Sequence, residues 1–422
     1  MNKRYSVLVA AVAAALAVTG CNNGSSNSAP SAGGARLATT FQVPGISSAV
    51  SYSFDLGAVD AASQMYYVSD RTNKSIDVIN LANNQVTQFK QAFAGCQTTA
   101  GVAVAGCLAS NGSVDNDASG PDGVDVVGPN LYVGDVNALW ILDKTSGALV
   151  KKIAIPSVPN IKRADEGCLD ADHNIYGIST PGAANPFMTF IDTTTQTVIA
   201  TVTMNDSTGG GSAGLEACFY DHDTGKFFVN NDGSTANPRG EVDGFSASAI
   251  VALKPTAPQT VNYLTLAGVV QYPLGNCDPT GLGKGPGNDM GVMCRQGNVG
   301  ETYTFLILNK TNGSVMATLN AGGGDQITYD PVSARWFLAD SRWTANGKSC
   351  AGGSAACPLM PSLGIVDGPT RTVVGFLDNG ANAHSVAVSP SPNVVLTPFT
   401  NGSAVAGGAA FPGGGISEFT TR

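Results

Sequence analysis

The chain has only three histidines in 422 residues and no Cys-x-x-Cys pair. The missing pair argues against a structural zinc site, and the few histidines against His-activated nucleophilic catalysis. Charged residues make up 13% of the sequence, and Lys and Arg number 22 against 31 acids. The resulting net charge of −9 argues against nucleic acid and against binding to anionic lipid surfaces. No heptad and no long amphipathic helix pattern occurs. The Gly runs at Gly209–Gly211 and Gly281–Gly287 open no helix, so they read as surface loops rather than phosphate loops.

What is present is a repeat. Two apolar residues, a polar residue that is usually Asp or Asn, a Thr/Gly/Asn-rich turn and a β-branched run recur six times. The segments start at Asp77, Ile141, Phe190, Ile250, Ile307 and Ile365, roughly every 50 to 64 residues. A β-hairpin at this period predicts an all-β ring of similar small sheets, a β-propeller. Upstream of each hairpin two further strands are expected, the first lining the channel. Those first strands read as Asp55–Val59, Asp122–Val127, Glu166–Leu169, Glu216–Tyr220, Asp278–Leu282, Asp325–Tyr329 and His384–Val388. Seven blades result. The last lacks an outermost strand, which Ala38–Val43 can supply, closing the ring with both termini. Tyr66-Tyr67-Val68-Ser69-Asp70 followed by Ile76-Asp77-Val78-Ile79 resembles the YVTN/NHL-like propeller repeat. The resemblance covers nearly all of the chain after residue 38. It implies a shape shared by sugar-lactone hydrolases, surface-layer proteins and binding scaffolds.

The N-terminus carries separate signals. Lys3 and Arg4 precede an apolar run, Val7 to Val18, too short to span a membrane. Val18-Thr19-Gly20-Cys21 follows and resembles the bacterial lipobox, which implies cleavage before Cys21 and its acylation (palmitate among the chains). The expected layout is a signal peptide over 1–20, a flexible tether over 21–37 and one propeller domain over 38–422. The expected location is the bacterial envelope, lipid-anchored in the outer membrane or at the periplasmic face. Eight cysteines remain, an even number that suits disulfides in an exported chain. Sequential pairing is the simplest: Cys96–Cys107, Cys168–Cys218, Cys277–Cys294 and Cys350–Cys357.

The entry to each first strand bears an ionisable residue: Asp55, Asp122, Glu166, Glu216, Asp278, Asp325 and His384. A propeller would bring them to one mouth of the channel. Six converging carboxylates repel unless compensated by backbone N–H groups, by Ca²⁺, by a cationic ligand, or by loop arginines. Arg71, Arg295 and Arg342 follow the second strands and open on the same face. The resemblance to calcium-dependent lactonases implies a central ion, for which Glu166, Glu216, Asp278 and Asp325 are the candidate ligands. Asp115-Asn116-Asp117-Ala118-Ser119-Gly120 resembles the first half of a calcium loop, with Asp115, Asp117 and Ser119 as ligands. Its twelfth position is Val126, so Asp122 or Asp125 would have to supply the missing acid. His384 is the candidate general base, whereas His173 and His222 fall in turns on the opposite face. The expected function is binding of a small ligand or an envelope protein at the acidic face, by a monomer. The alternative is a metal-dependent hydrolase of a lactone or ester.

Overall fold

The computed structural model describes residues 31–94, 118–155, 162–206, 211–350, 357–401 and 411–421. Seven antiparallel sheets form the ring of a seven-bladed β-propeller. The first strands of the blades are Phe54–Asp60, Val124–Val127, Gly167–Asp170, Leu215–Asp221, Pro279–Lys284, Ile327–Asp330 and Ala387–Pro390. Each pairs outward with a second, third and fourth strand. In blade 1 these are Met65–Asp70, Ser75–Asn80 and Gln85–Lys90.

Burial explains the sequence pattern. Second and third strands lie under neighbouring sheets on both faces. Met65–Asp70 and Ser75–Asn80 are accordingly almost entirely buried, whereas the outer Gln85–Lys90 alternates toward solvent. The blades are held by apolar side chains between sheets. Phe190, Phe227 and Phe245 interlock between blades 3 and 4, and Trp336 meets Phe305 edge-on between blades 5 and 6. Each such buried side chain contributes about 1.5–3 kcal/mol. The repeated Asp or Asn ends the third strand and turns the chain. The Asp143 carboxylate accepts from the backbone N–H groups of Thr145 and Ser146, as Asp192 does from Thr194 and Thr195.

The termini close the ring as expected. In blade 7, Asn393–Phe399 pairs with Gly415–Thr420, and that strand pairs with the N-terminal strand Ala35–Phe41. This strand starts three residues before the expected boundary at 38, and Ser31–Ala32 pairs back onto it. The hairpin expected at Ile250–Val261 does not form. Blade 4 takes its third strand from Glu241–Ser246 and its fourth from Val270–Pro273. Ala247–Val251 is a short helix, and Gln259–Asn262 joins blade 3 in parallel instead. The residues from Ala247 to Ala249 are small and lack β-branching. Pro255 and Pro258 then interrupt any strand.

Disulfides join Cys168 to Cys218, Cys277 to Cys294 and Cys350 to Cys357, as sequential pairing predicts. Cys96, Cys107, Cys21 and the segment 1–30 lie outside the described residues. Among the described residues no helix is long and apolar enough to cross a membrane.

Candidate functional site

The acids at the strand entries gather on one face, but as two trios rather than a ring. Asp55, Asp122 and Asp165 form one trio and Glu166, Glu216 and Asp325 the other. In each, one oxygen per residue lies within 4.8 Å of those of its two partners. The tandem Asp165-Glu166 in blade 3 contributes one member to each. Glycines permit this approach. A Cβ on Gly123 would overlap the Asp165 carbonyl oxygen, and one on Gly281 would overlap that of Asp325.

The first trio is closed by arginine. Arg71 follows the second strand of blade 1, and its side chain is 4% exposed. Its Nη2 donates to Asp55 Oδ2 at 2.5 Å and to Asp122 Oδ1 at 2.7 Å, and its Nε also donates to Asp122 Oδ1, at 3.1 Å. Its Nη1 donates to the Phe54 carbonyl at 2.9 Å. Arg163 Nη2 donates to Asp165 Oδ2 at 2.6 Å. Burial pushes Asp55 upward, but Arg71, His384 and Arg163 hold its carboxyl well below the usual carboxylate range. Burial raises Asp165 to about 6 against the pull of Arg163. His384 belongs here too. Its ring stacks on Phe54, with Nδ1 2.8 Å from the Asn382 carbonyl and Nε2 3.5 Å from Asp55.

The second trio is open. Glu166 lines the central channel, a cavity of about 200 Å³ whose wall also includes Leu56, Val124, Ala217, Leu282 and Gln326. Glu216 and Asp325 are half-buried. Arg295 stands off, its Nη1 3.9 Å from Glu216 and its Nη2 3.6 Å from Asp232, with a side chain 38% exposed. Burial, then the neighbouring carboxylates, push Glu166 and Glu216 well above the usual carboxylate range. Asp232 is raised to about 6, mainly by burial. The Cys168–Cys218 disulfide fixes the pair, since each cysteine lies two residues beyond its glutamate.

Calcium can be tested against each trio. Oxygens sharing one Ca²⁺ at roughly 2.3–2.6 Å lie no more than about 5 Å apart. The spacing and hard oxygen donors of Glu166, Glu216 and Asp325 meet that condition. Asp55 and Asp122 do not fit, because Arg71 already bridges them.

The other expected residues are placed elsewhere. Asp278, at positive φ, turns away from both trios to pair with Arg239, which also holds Glu301. Arg342 is exposed, with Nη1 donating to the Gly324 carbonyl at 3.1 Å. Asp115 and Asp117 lie outside the described residues, and Ser119 is buried. Neither expected substitute acid of that loop is free. Asp122 holds Arg71, and Asp125 accepts from the Tyr176 hydroxyl at 2.7 Å. His173 and His222 lie on the opposite face, beside Asp170 and Asp172. Asp165, Arg163 and Asp232 were missed. The run Arg163-Ala164-Asp165-Glu166 was the visible signal, because tandem acids at a strand entry point to two neighbours.

No protein-family model matches the chain, and no curated protein matches it. Solved structures share the fold. A chain of Kuenenia stuttgartiensis hydrazine synthase is 12% identical at a TM-score of 0.58, covering 86% of this chain and 94% of that one. A chain of the mitotic checkpoint complex is 12% identical at 0.56, covering 99% of each. The Pan2 WD40 domain of Neurospora crassa is 8% identical at 0.54, covering 88% and 90%. At these identities the likeness concerns the propeller alone.

Proposed function

We propose that this is an exported binding protein whose ligand brings positive charge to Glu166, Glu216 and Asp325. The carrying observation is that three carboxylates meet within 4.8 Å while Arg295 remains 3.9 Å from the nearest of them. Such a cluster is destabilised by its own repulsion, and a bound cation relieves it. The cation is Ca²⁺, for which the oxygen spacing is right, or an organic ammonium. Binding is favoured over lactone or ester hydrolysis because His384, the candidate base, faces Asp55 in the closed trio. Three disulfides and the Val18-Thr19-Gly20-Cys21 signal support export and a lipid anchor at Cys21.

The test is a melting curve of the full chain with EDTA, with Ca²⁺ and with propylamine. Ca²⁺ or propylamine should raise the midpoint by mass action, and E166Q/E216Q should remove the response. A midpoint indifferent to all three sinks this reading. For the anchor, labelled fatty acid should enter the wild type but not Cys21→Ala.

A further inference from the structure

Beside the open trio, between blades 5 and 6, lies a second cavity of about 160 Å³. Arg295 and Arg342 line it, together with Gln296, Asn298 and Tyr303. Both arginines touch the trio's surroundings. Arg295 reaches Glu216 and Asp232, and Arg342 donates to the carbonyl of Gly324, the residue bonded to Asp325. Among the described residues no carboxylate lies within 4.0 Å of the Arg342 side chain, so its remaining N–H donors are not committed to an acid. A cationic cavity therefore abuts an anionic one, and a single side chain, Arg295, spans the boundary.

We infer that the ligand is a short zwitterion: an ammonium set against Glu166, Glu216 and Asp325, and a carboxylate received by Arg342 and Arg295. This rests on the reading above that the trio takes positive charge, and it adds the second pole. A carboxylate suits planar guanidinium donors, which bind it through paired, charge-assisted hydrogen bonds. The 3.9 Å between Arg295 and Glu216 limits the spacer to a few carbons. The cavity has room for a carboxylate with its short chain but not for an extended peptide. An α-, β- or γ-amino acid has the required form.

The experiment is calorimetric titration of the full chain with glycine, β-alanine and 4-aminobutanoate. Each is compared with the amine and the acid of matching length. At least one zwitterion should bind about tenfold more tightly than its amine, the gain from one added charge-assisted contact. R342A and the milder R342Q should both reduce that zwitterion to the affinity of the amine while leaving amine binding unchanged. Arg342 is exposed, so both variants should keep the wild-type melting midpoint. If no zwitterion exceeds its amine, the inference is overturned while the cation reading stands. If the acid alone binds as tightly as the zwitterion, the trio is not part of the site and the inference also falls. If neither amine nor zwitterion binds, the inference is overturned, and a Ca²⁺ titration of the same sample decides whether the cation reading stands.

Discussion

The two carboxylate trios have the same number of acids, the same fold position and the same face. Arginine placement separates them. Arg71 is sealed between Asp55 and Asp122 with four hydrogen bonds, whereas Arg295 is half-buried and only a loose partner of Glu216 at 3.9 Å. Converging acids are thus neither a lock nor a site in themselves. A loop of another strand pair decides, by delivering a cation fully or only part of the way. In the closed trio the charge is balanced within the chain. In the open one the balance is left to something from outside.

Breaking the closed trio should have the largest effect. Arg71→Met leaves Asp55 and Asp122 buried without their main counter-charge and should cost about 3–5 kcal/mol, read from denaturant unfolding. Arg295→Met should cost about 1 kcal/mol or less, because its pairs are long, 3.6 and 3.9 Å, and its own side chain is partly in solvent. Equal losses would erase the distinction.

Removing the Cys168–Cys218 bond as C168S/C218S should cost about 2–4 kcal/mol. It should also weaken cation binding, because the two glutamates lose their common frame. Unchanged affinity would show that the neighbouring sheets alone hold the open trio.

Acidity should act on Asp55 in the direction opposite to the open trio, whereas Asp122 and Asp165, raised by burial, follow the open trio. Glu166 and Glu216 have raised folded values, so the native state holds protons that the unfolded chain has released. Their contribution is intact below about 4.5 and is lost as pH rises above it. Asp232 follows the same course between 3.8 and about 6. Asp55 is depressed, so its contribution is present above 3.8 and is lost only in stronger acid. Without ligand, E166Q/E216Q should therefore be more stable than wild type at pH 8 and no more stable at pH 4. Wild type should recover the difference when cation is added. Unfolding free energies at the two pH values check the sign.

The smallest effect should come from Asp278→Asn. Asp278 stands at a strand entry but outside both trios, so the change should cost less than about 1 kcal/mol and leave cation affinity untouched. A loss of affinity equal to that of Glu216→Gln would restore the single ring.

Much of this was legible in advance. Periodic hairpins and β-branched runs marked the seven blades and the termini-closed ring, because two-sided burial demands nearly continuous apolar strands. The hairpin at Ile250 misled, since its apolar residues bury in a short helix instead. The strand-entry acids were legible because the fold repeats their position. Their division into trios was not. It depends on Asp165, Arg163 and Asp232 in connecting loops, whose paths no periodicity encodes, and on the positive φ that swings Asp278 toward Arg239. The three described cysteine pairs followed from sequential pairing, an argument of order along the chain rather than of chemistry.

The seam in blade 7 has a consequence in time. Its two sides are Ala35–Phe41 and Gly415–Thr420, hydrogen-bonded from Leu37–Phe419 to Phe41–Ile416. A ribosome makes one half of this clasp before the other blades and the other half after them. Through most of synthesis the early strand has no partner, and six blades can stack without becoming a circle. Any chain cut short before residue 415 is an open crescent with two raw edges. The ring therefore closes only once residues 415–420 have been made.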